Sequence, residues 1–224
     1  SIFPLSGTLA LCLDYLGVRY FDTKFREIGS AGDKLTSLTK LFINRIVVPK
    51  TIFCTREMIE SKKSKIISEL RFPIIAKDTR SQGNTGIYSI KSKEDFSRLL
   101  KDPAQFIFQQ FIDIDKEYRI LVLGNKVGAS HTKVKRAYDK FVIGDKDPTA
   151  QVEFVSPSTL PDSLKETAIR AAKILNTEIA GVDVCIERGS GRVIVFEVNR
   201  GPGFEYNTKI SSEVPAVAEF FKKE

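Results

Sequence analysis

The chain has 224 residues, of which 42% are hydrophobic and 28% are charged, and this globular composition is enough for one domain or two small ones. No stretch approaches the roughly 20 consecutive apolar residues that a membrane helix needs, and nothing after Ser1 has the order of a signal peptide. We therefore expect a cytoplasmic protein without a membrane partner.

Charge and rare residue types narrow the chemistry. Thirty-five Lys and Arg against 28 Asp and Glu give a net charge of +7, which favours an anionic partner, although a solvated basic surface gives the same count. His131 is the only histidine, so a Ser-His or Cys-His nucleophile would depend on that one residue. The cysteines lie far apart in apolar runs, which predicts small core residues rather than disulfides or a zinc site: Cys12, Cys54 and Cys185.

The first third of the chain predicts helices joined by short extended segments. Apolar residues recur at helical spacing, and Gly, Asp and Thr stand where helices end or begin. We predict, in order, a helix at 8–16, a strand at 18–21, a helix capped by Asp33, an extended segment at 46–49, and a helix from Thr55 to 70.

Short apolar runs separated by turn residues then predict mainly strands. Ser92 and Asp95 resemble a capping box for a helix that ends before Pro103, and 162–176 form an amphipathic helix. The predicted strands are 72–77, 85–90, 106–112, 117–123, 126–134, 179–187 and 192–199, and the last helix is 213–222. The fold class is therefore α+β with antiparallel hairpins.

One glycine-flanked turn predicts a cluster of oxygen ligands. Residues 189–191 separate two apolar strands and predict a three-residue hairpin loop. With that loop, Arg188 faces Arg192 and Asp183 faces Glu197. The opposite face of the two strands is then apolar and buried, and carries Val182, Val184, Ile186, Ile194, Phe196 and Val198.

Asn199 lies two positions beyond Glu197, on the same face as Asp183. Directly opposed residues have Cβ atoms about 4.5 to 5.5 Å apart, so two carboxylates there repel unless a cation lies between them. Two carboxylates and an amide are ligands that suit Mg²⁺. The alternative is a pair of unrelated acidic residues on a solvated sheet face.

A second hairpin is predicted around Gly124 and Asn125. If Gly124 and Asn125 form a two-residue loop, one side is polar and the other apolar. His131 then lies on the apolar side, which favours a hydrogen-bonded packing role over a catalytic one. The predicted pairs are Glu117 with Thr132, Tyr118 with His131, and Arg119 with Ser130.

The segment around Lys77 indicates a phosphate cover. Lys77 ends an apolar run, and the polar segment 81–86, with Gly83 and Gly86, precedes the next strand. Two glycines at this spacing are also common in simple hairpin turns. A Walker A loop is absent, because Lys77 precedes the glycines and a strand follows them.

Across residues 33–210 the order of motifs resembles the ATP-grasp superfamily, and within it the RimK-type branch of carboxylate-amine ligases. The matching pieces are Gly32-Asp33-Lys34, Val48-Pro49-Lys50-Thr51, Phe72-Pro73-Ile74-Ile75-Ala76-Lys77, Phe108-Gln109-Gln110-Phe111-Ile112, Glu117-Tyr118-Arg119, Ala180-Gly181-Val182-Asp183, and Glu197-Val198-Asn199-Arg200-Gly201-Pro202-Gly203. Each is short, but their shared order and spacing are specific.

The resemblance implies two α+β subdomains, with mainly antiparallel sheets that clasp ATP. It implies a lid subdomain at about 50–107 and a C-terminal subdomain at about 108–224, preceded at 1–32 by the remnant of a pre-ATP-grasp domain. The resemblance also implies a role for each matching residue. Phosphate is bound by Lys34, Lys77, Gly83 and Gly86, adenine is contacted by Gln110 and Phe111, and the ribose lies near Glu117. Mg²⁺ or Mn²⁺ is bound by Asp183, Glu197 and Asn199, and the transferring phosphoryl group is stabilised by Arg119 and Lys133, with Lys135 and Arg136 nearby.

The implied activity is ligation of a carboxylate to an amine at the expense of ATP, through an acyl phosphate. The substrates would be an amino acid with a peptide or a small molecule, and a homo-oligomer is compatible with the sequence. Two departures stand out: Gln110 replaces a common glutamate, and 138–151 lacks the Arg, Asn and glycine pair of the RimK-type branch. The short 1–32 segment indicates a truncated chain or a partner that completes the site.

Two other functions remain open at this point. An ATP-binding module without ligase activity would have the same nucleotide motifs, and the altered 138–151 segment favours it. A nucleic-acid-binding protein is compatible with the charge of +7. The basic residues are, however, spread out and lack interleaved exposed aromatics, which disfavours nucleic acid.

Overall fold

The structure is a computed structural model that describes residues 3–21, 33–81, 85–102, 104–133 and 152–223. The chain divides into two compact units. The large unit comprises the described parts of Ser1–Val48, Ile114–Lys133 and Gln151–Glu224, and the small unit comprises those of Pro49–Asp113.

The described residues form helices and two antiparallel sheets. The helices are α1 (Phe3–Tyr15), α2 (Lys34–Ile43), α3 (Ile59–Leu70), α4 (Asp95–Leu99), α5 (Asp162–Ile174) and α6 (Glu213–Lys223), with 3-10 turns at Arg56–Met58 and Pro157–Thr159. The strands are β1 (Thr51–Cys54), β2 (Ile74–Asp78), β3 (Ile87–Ile90), β4 (Phe106–Gln110), β5 (Ile114–Leu123), β6 (Lys126–Lys133), β7 (Val152–Val155), β8 (Ile179–Glu187) and β9 (Val193–Arg200).

In the small unit the strands are ordered β1-β4-β2-β3. Successive strand residues point to opposite faces, so one face of β2 and β4 is built from alternate residues such as Ala76 and Phe108. These residues form a buried core with α3 and α4, whose Ile66 and Phe96 are fully enclosed. Lys77 therefore lies on the face opposite this helical core.

In the large unit the order is β7-β6-β5-β8-β9. The apolar stripe of α5, with Leu164 and Ala168, packs with Leu41 of α2 against the alternate residues of β5 and β8, such as Ile120 and Val182. The other face is covered at one end by α6, in a cluster with these members: Leu121, Leu123, Ala129, Ala216, Val217 and Phe220. The candidate site lies on this second face.

The α+β class is confirmed, and most predicted elements occur within a few residues of their expected ends. The Asp33 cap is confirmed, because its Oδ1 accepts from the Leu35 N–H at 2.9 Å. The predicted strand at 18–21 is wrong, since those residues are irregular, and neither β1 nor β7 was predicted. Cys54 and Cys185 are buried free thiols as expected, whereas Cys12 is exposed. Within the described segments, no helix combines the length and apolarity needed to cross a membrane.

Candidate functional site

A single row of side chains crosses the whole five-stranded sheet of the large unit. Phe154 pairs with His131, His131 with Arg119, Arg119 with Asp183, and Asp183 with Glu197. Directly paired residues share a face, so all five belong to the face that α6 partly covers. One aromatic ring, two basic residues and two carboxylates are thus neighbours in sequence-distant strands.

The acidic end of the row contains the three predicted metal ligands. Asp183 is 6% exposed, and its Oδ2 accepts a hydrogen bond from Nδ2 of Asn199 at 3.2 Å. Asn199 pairs with Gly181 and so lies on the same face as the two paired carboxylates. Two carboxylates and an amide oxygen donor on one face fit the hard oxygen ligands of Mg²⁺. The described residues contain no group of three or more His, Cys, Asp or Glu arranged to bind a metal, so Asn199 is needed to complete this set.

The loop between β8 and β9 is longer than predicted, and a bulge compensates for it. The Glu187 N–H donates to the Arg192 carbonyl at 2.9 Å, so the loop is 188–191 and the predicted pairing of Arg188 with Arg192 is wrong. The register then shifts by one residue where β9 carries Phe196 as an extra residue. The two deviations cancel, and the predicted pairing of Asp183 with Glu197 is confirmed.

The bulge also changes which β9 residues face the core. Val193 and Val195 pack against the core shared with α5, in place of the predicted Ile194 and Phe196. Val198 lies beyond the bulge and faces this core as predicted. The error is confined to the part of β9 between the loop and the bulge.

A bulge at Gly128 makes the predicted register of the hairpin formed by β5 and β6 wrong. Leu123 pairs with Lys126, so the two-residue loop at 124–125 is confirmed, but the register shifts between Leu121 and Val122. The observed pairs are Glu117 with Lys133, Tyr118 with Thr132, Arg119 with His131, and Ile120 with Ser130. His131 consequently lies on the polar face beside Arg119, and the prediction that it lies on the apolar side is wrong.

The Arg119 guanidinium extends along the row toward Asp183. Its Nη1 is 3.6 Å from Asp183 Oδ1, and the two side chains are 24% and 8% exposed. A Cβ built on Gly181 would lie only 3.1 Å from both Nε and Nη2 of Arg119. The absence of a side chain at Gly181 therefore provides the space that this guanidinium occupies.

Glu117 lies one pair further along the same face. It is 6% exposed and pairs with Lys133 on one side and Cys185 on the other. Burial, together with the charges of Glu117 and Glu187, raises the pKa of the Cys185 thiol to about 12. The thiol is neutral near pH 7 and is not a candidate nucleophile.

Of the predicted phosphate-binding residues of the small unit, Lys77 lies on the sheet face opposite the helices. Lys77 pairs with Ile87 and Ile107 and is partly buried on that face. Ile75 and Ile87 form a small apolar cluster there, against which Phe111 packs. Gly86 has φ +65 and its carbonyl accepts from the Asp78 N–H at 2.8 Å, which closes the predicted phosphate loop.

The hydrogen bonds of Gln110 limit the contacts that the predicted adenine-binding segment could make. The Gln110 side chain is exposed, and its backbone N–H already donates to the Lys50 carbonyl at 2.9 Å. Gln109 is instead the buried glutamine, 2% exposed, and donates to Thr51 Oγ1 at 3.1 Å. An adenine contact at Gln110 would therefore need its carbonyl or side chain rather than its N–H.

The remaining predicted residues do not belong to the row of side chains that crosses the sheet. Lys34 is the first residue of α2, a helix whose Leu41 belongs to the α5 core on the other face of the sheet. Gly83, the Lys133 side chain, Lys135 and Arg136 lie outside the described residues, although the Lys133 backbone pairs with Glu117 in β6.

Comparisons with known proteins agree with this architecture. Residues 31–217 match the family model described as a RimK-like ATP-grasp domain. A probable alpha-L-glutamate ligase of Cellvibrio japonicus is 29% identical over 198 residues, which are 86% of this chain and 62% of that protein. A D-alanine--D-alanine ligase of Thermotoga petrophila is 28% identical over 231 residues, which are 97% of this chain and 71% of that protein.

A solved structure of the ATP-grasp ligase PsnB, complexed with a phosphomimetic variant of minimal precursor, Mg and ADP, has a TM-score of 0.71 at 16% identity and covers 98% of this chain and 67% of that one. At this identity the likeness shows the fold alone. The chain spans 62% of the length of the glutamate ligase named above. Because the family model matches well over half of its residues, this chain belongs to the RimK-like ATP-grasp family.

Proposed function

We propose that this protein uses ATP to join a carboxylate to an amine. The observation that carries the proposal is the pairing of Asp183 with Glu197, with Asn199 bonded to Asp183 and Arg119 3.6 Å away on the same face. This row combines a ligand set for a divalent cation with a positive group for a phosphoryl oxygen. The family membership, and relatives named as ligases, support the same activity.

Asp183, Glu197 and Asn199 are the residues that would hold Mg²⁺, with Mn²⁺ as an alternative for the same oxygen ligands. When bound, the ion would neutralise negative charge on the phosphates. Asp183 is buried and lies 3.6 Å from Arg119, whereas the directly opposed Glu197 is only partly buried. Like charges directly opposite each other are destabilising, so a cation between the two carboxylates would stabilise the pair.

The proposed roles of the site residues are to bind ATP and to orient its phosphates. Arg119 would orient an oxygen of the transferring phosphoryl group, because its position is fixed by Asp183 and by the space above Gly181. The small unit would supply Lys77 and the loop closed by Gly86 for the phosphates, and Phe111 for the adenine. Glu117 is assigned to the ribose, and Lys34 and Lys133 are assigned to phosphate oxygens.

The proposed reaction has two steps. The substrate carboxylate attacks the γ-phosphorus of ATP and ADP leaves, which gives an acyl phosphate. The amine then attacks the acyl carbon and phosphate leaves, which gives the amide. Positioning and charge neutralisation account for most catalysis of phosphoryl transfer, so a protein nucleophile is not required. The neutral Cys185 thiol agrees with this.

The relatives point to an amino acid as one substrate. The names alpha-L-glutamate ligase and D-alanine--D-alanine ligase both denote ligation of an amino acid. We therefore propose that an amino acid is joined to a peptide or to a small molecule.

A screen of ADP release tests this proposal. Purified protein is given Mg-ATP and pairs of carboxylate and amine substrates, amino acids and short peptides included, and the products are weighed by mass spectrometry. We expect ADP to be released over many turnovers only when both substrates are present, together with a product lighter by one water than their sum. Asp183→Asn serves as the control and should release no ADP. ATP binding without substrate-dependent ADP release would contradict the ligase and support an ATP-binding module instead.

A further inference from the structure

The row on the sheet continues past Arg119 to His131, a residue that the proposed reaction does not use. His131 is the direct partner of Arg119 on the strand away from Asp183. Its ring meets the Phe154 ring edge-on, with centroids 5.3 Å apart, and its side chain is 12% exposed. Arg119 is thus bordered by a carboxylate on one side and an imidazole on the other.

A buried carboxylate accompanies this imidazole. Glu213 is the first residue of α6 and is 5% exposed, and its Oε1 is 3.7 Å from Nδ1 of His131. Its Oε2 accepts from the Glu205 N–H at 2.8 Å and from the Ser211 hydroxyl at 3.3 Å. Glu213 therefore ties β6 to the segment that follows β9.

The charge of Glu213 is compensated by several neighbouring groups. Burial by itself raises the pKa of this carboxyl, but His131, the Glu205 N–H and the Ser211 hydroxyl together outweigh burial and lower it. The group is a carboxylate near pH 7. A buried carboxylate is costly unless it is paired and hydrogen-bonded, so this one favours an imidazole held close to it.

We propose that His131 and Glu213 form a positioning pair that holds the Arg119 guanidinium against Asp183. Glu213 and Phe154 restrict the imidazole, and the imidazole fills the space on the β6 side of Arg119. In this arrangement His131, the direct cross-strand partner of Arg119, limits movement of the guanidinium away from Asp183 and Gly181. Confinement before the reaction lowers the entropy lost when a catalytic group is fixed. The catalytic consequence of this pair rests on the proposed function, whereas its effect on Arg119 does not.

Kinetics of three variants test the catalytic consequence. We expect His131→Ala to lower kcat by about 10-fold, as loss of a residue that orients a ligand or catalytic group does. The KM for ATP should stay within about twofold, because neither residue is assigned to nucleotide binding. Glu213→Gln should lower kcat in the same sense, and the double variant should lose no more than His131→Ala alone, since the two act as one unit. Glu187→Gln, at the hairpin end of β8 and bonded to Arg192, is the matched control and should keep the wild-type kcat.

A nucleotide-free measurement tests the pair directly. The Arg119 Nε–Hε signal in a ¹⁵N spectrum, assigned by its loss in Arg119→Lys, should exchange with solvent faster in His131→Ala and in Glu213→Gln than in the wild type. His131 is the only histidine, so its ring signals need no assignment and should shift in Glu213→Gln.

If the Arg119 Nε–Hε exchange rate is unchanged in folded His131→Ala and folded Glu213→Gln, the inference is overturned. A wild-type kcat in both of these variants would also overturn it. If the wild-type protein releases no ADP with any substrate pair, the proposed function fails while the exchange measurement still decides the role of the pair. If His131→Ala does not fold, His131→Asn and Glu213→Gln supply the same comparison.

Discussion

Arg119 depends on a neighbour without a side chain. The guanidinium crosses the sheet toward Asp183 and passes within 3.1 Å of the place where a Gly181 Cβ would stand. The same Cβ would lie 2.8 Å from Cβ of Pro202, in the segment that follows β9. Gly181 therefore fixes both the course of Arg119 and the start of that segment.

Gly181→Ala should displace Arg119 and destabilise the large unit. The new methyl group cannot be accommodated without movement of Pro202 or of the guanidinium, and such overpacking costs about 1 to 3 kcal/mol. We expect a lower unfolding midpoint in urea and a reduced kcat for ADP release. Gly203→Ala is the matched control, because a Cβ there meets no atom within 4 Å. Equal stability and equal kcat in the two variants would show that the space above Gly181 is not needed.

The shared face of Asp183, Glu197 and Asn199 could be predicted, because a period of two and a turn bring them together, and the strand pairing confirms it. Their role as metal ligands stays a prediction. The prediction for His131 gives the wrong face, and the sequence does not predict its contact with Glu213. Their contact joins a strand to a distant helix, and no local pattern in the sequence encodes such a contact.

Among the elements, two bulges decide which side chains reach the site. Each bulge adds one residue to one strand, so every side chain beyond it changes face. At Phe196 the bulge offsets a longer loop and the predicted register survives. At Gly128 nothing offsets it, and the prediction fails from Ala129 to Lys133. A glycine within a strand is a recognised signal of a bulge, and Gly128 is the one signal from which this register could have been found.

The loop that Gly86 closes in the small unit has no room for a side chain at that position. Gly86 has φ +65, and a Cβ there would lie 2.8 Å from Cβ of Asp78. We expect Gly86→Ala to destabilise the protein by about 1 to 3 kcal/mol, through backbone strain and this close contact, and to weaken ATP binding. Urea denaturation and calorimetry with ATP would measure the two effects.

Gly189→Ala separates the two causes. Gly189 also has a positive φ, of 79°, but a Cβ there meets no atom within 4 Å. It should therefore cost less than Gly86→Ala and leave ATP affinity unchanged. An equal loss of stability in both variants, with no change in ATP affinity for Gly86→Ala, would contradict the role assigned to the loop.

For the whole molecule, the order of short motifs was enough to predict the family, and the match over residues 31–217 confirms it. The strands β1 and β7 were missed because each has only four residues, and β7 also follows a stretch with no recognisable pattern. The net charge of +7 agrees with an anionic ligand but could not locate it, whereas the pairing of strands places the acidic and basic groups in one row.

If Asp183 and Glu197 hold one divalent ion between them, as we propose, loss of either carboxylate should stop turnover, and Glu197→Ala is the variant to measure. Metal neutralisation contributes several kcal/mol to such reactions, so ADP release with Mg-ATP should fall on the order of 1,000-fold while the circular dichroism spectrum stays unchanged. Turnover near the wild-type rate in the folded variant would contradict the claim.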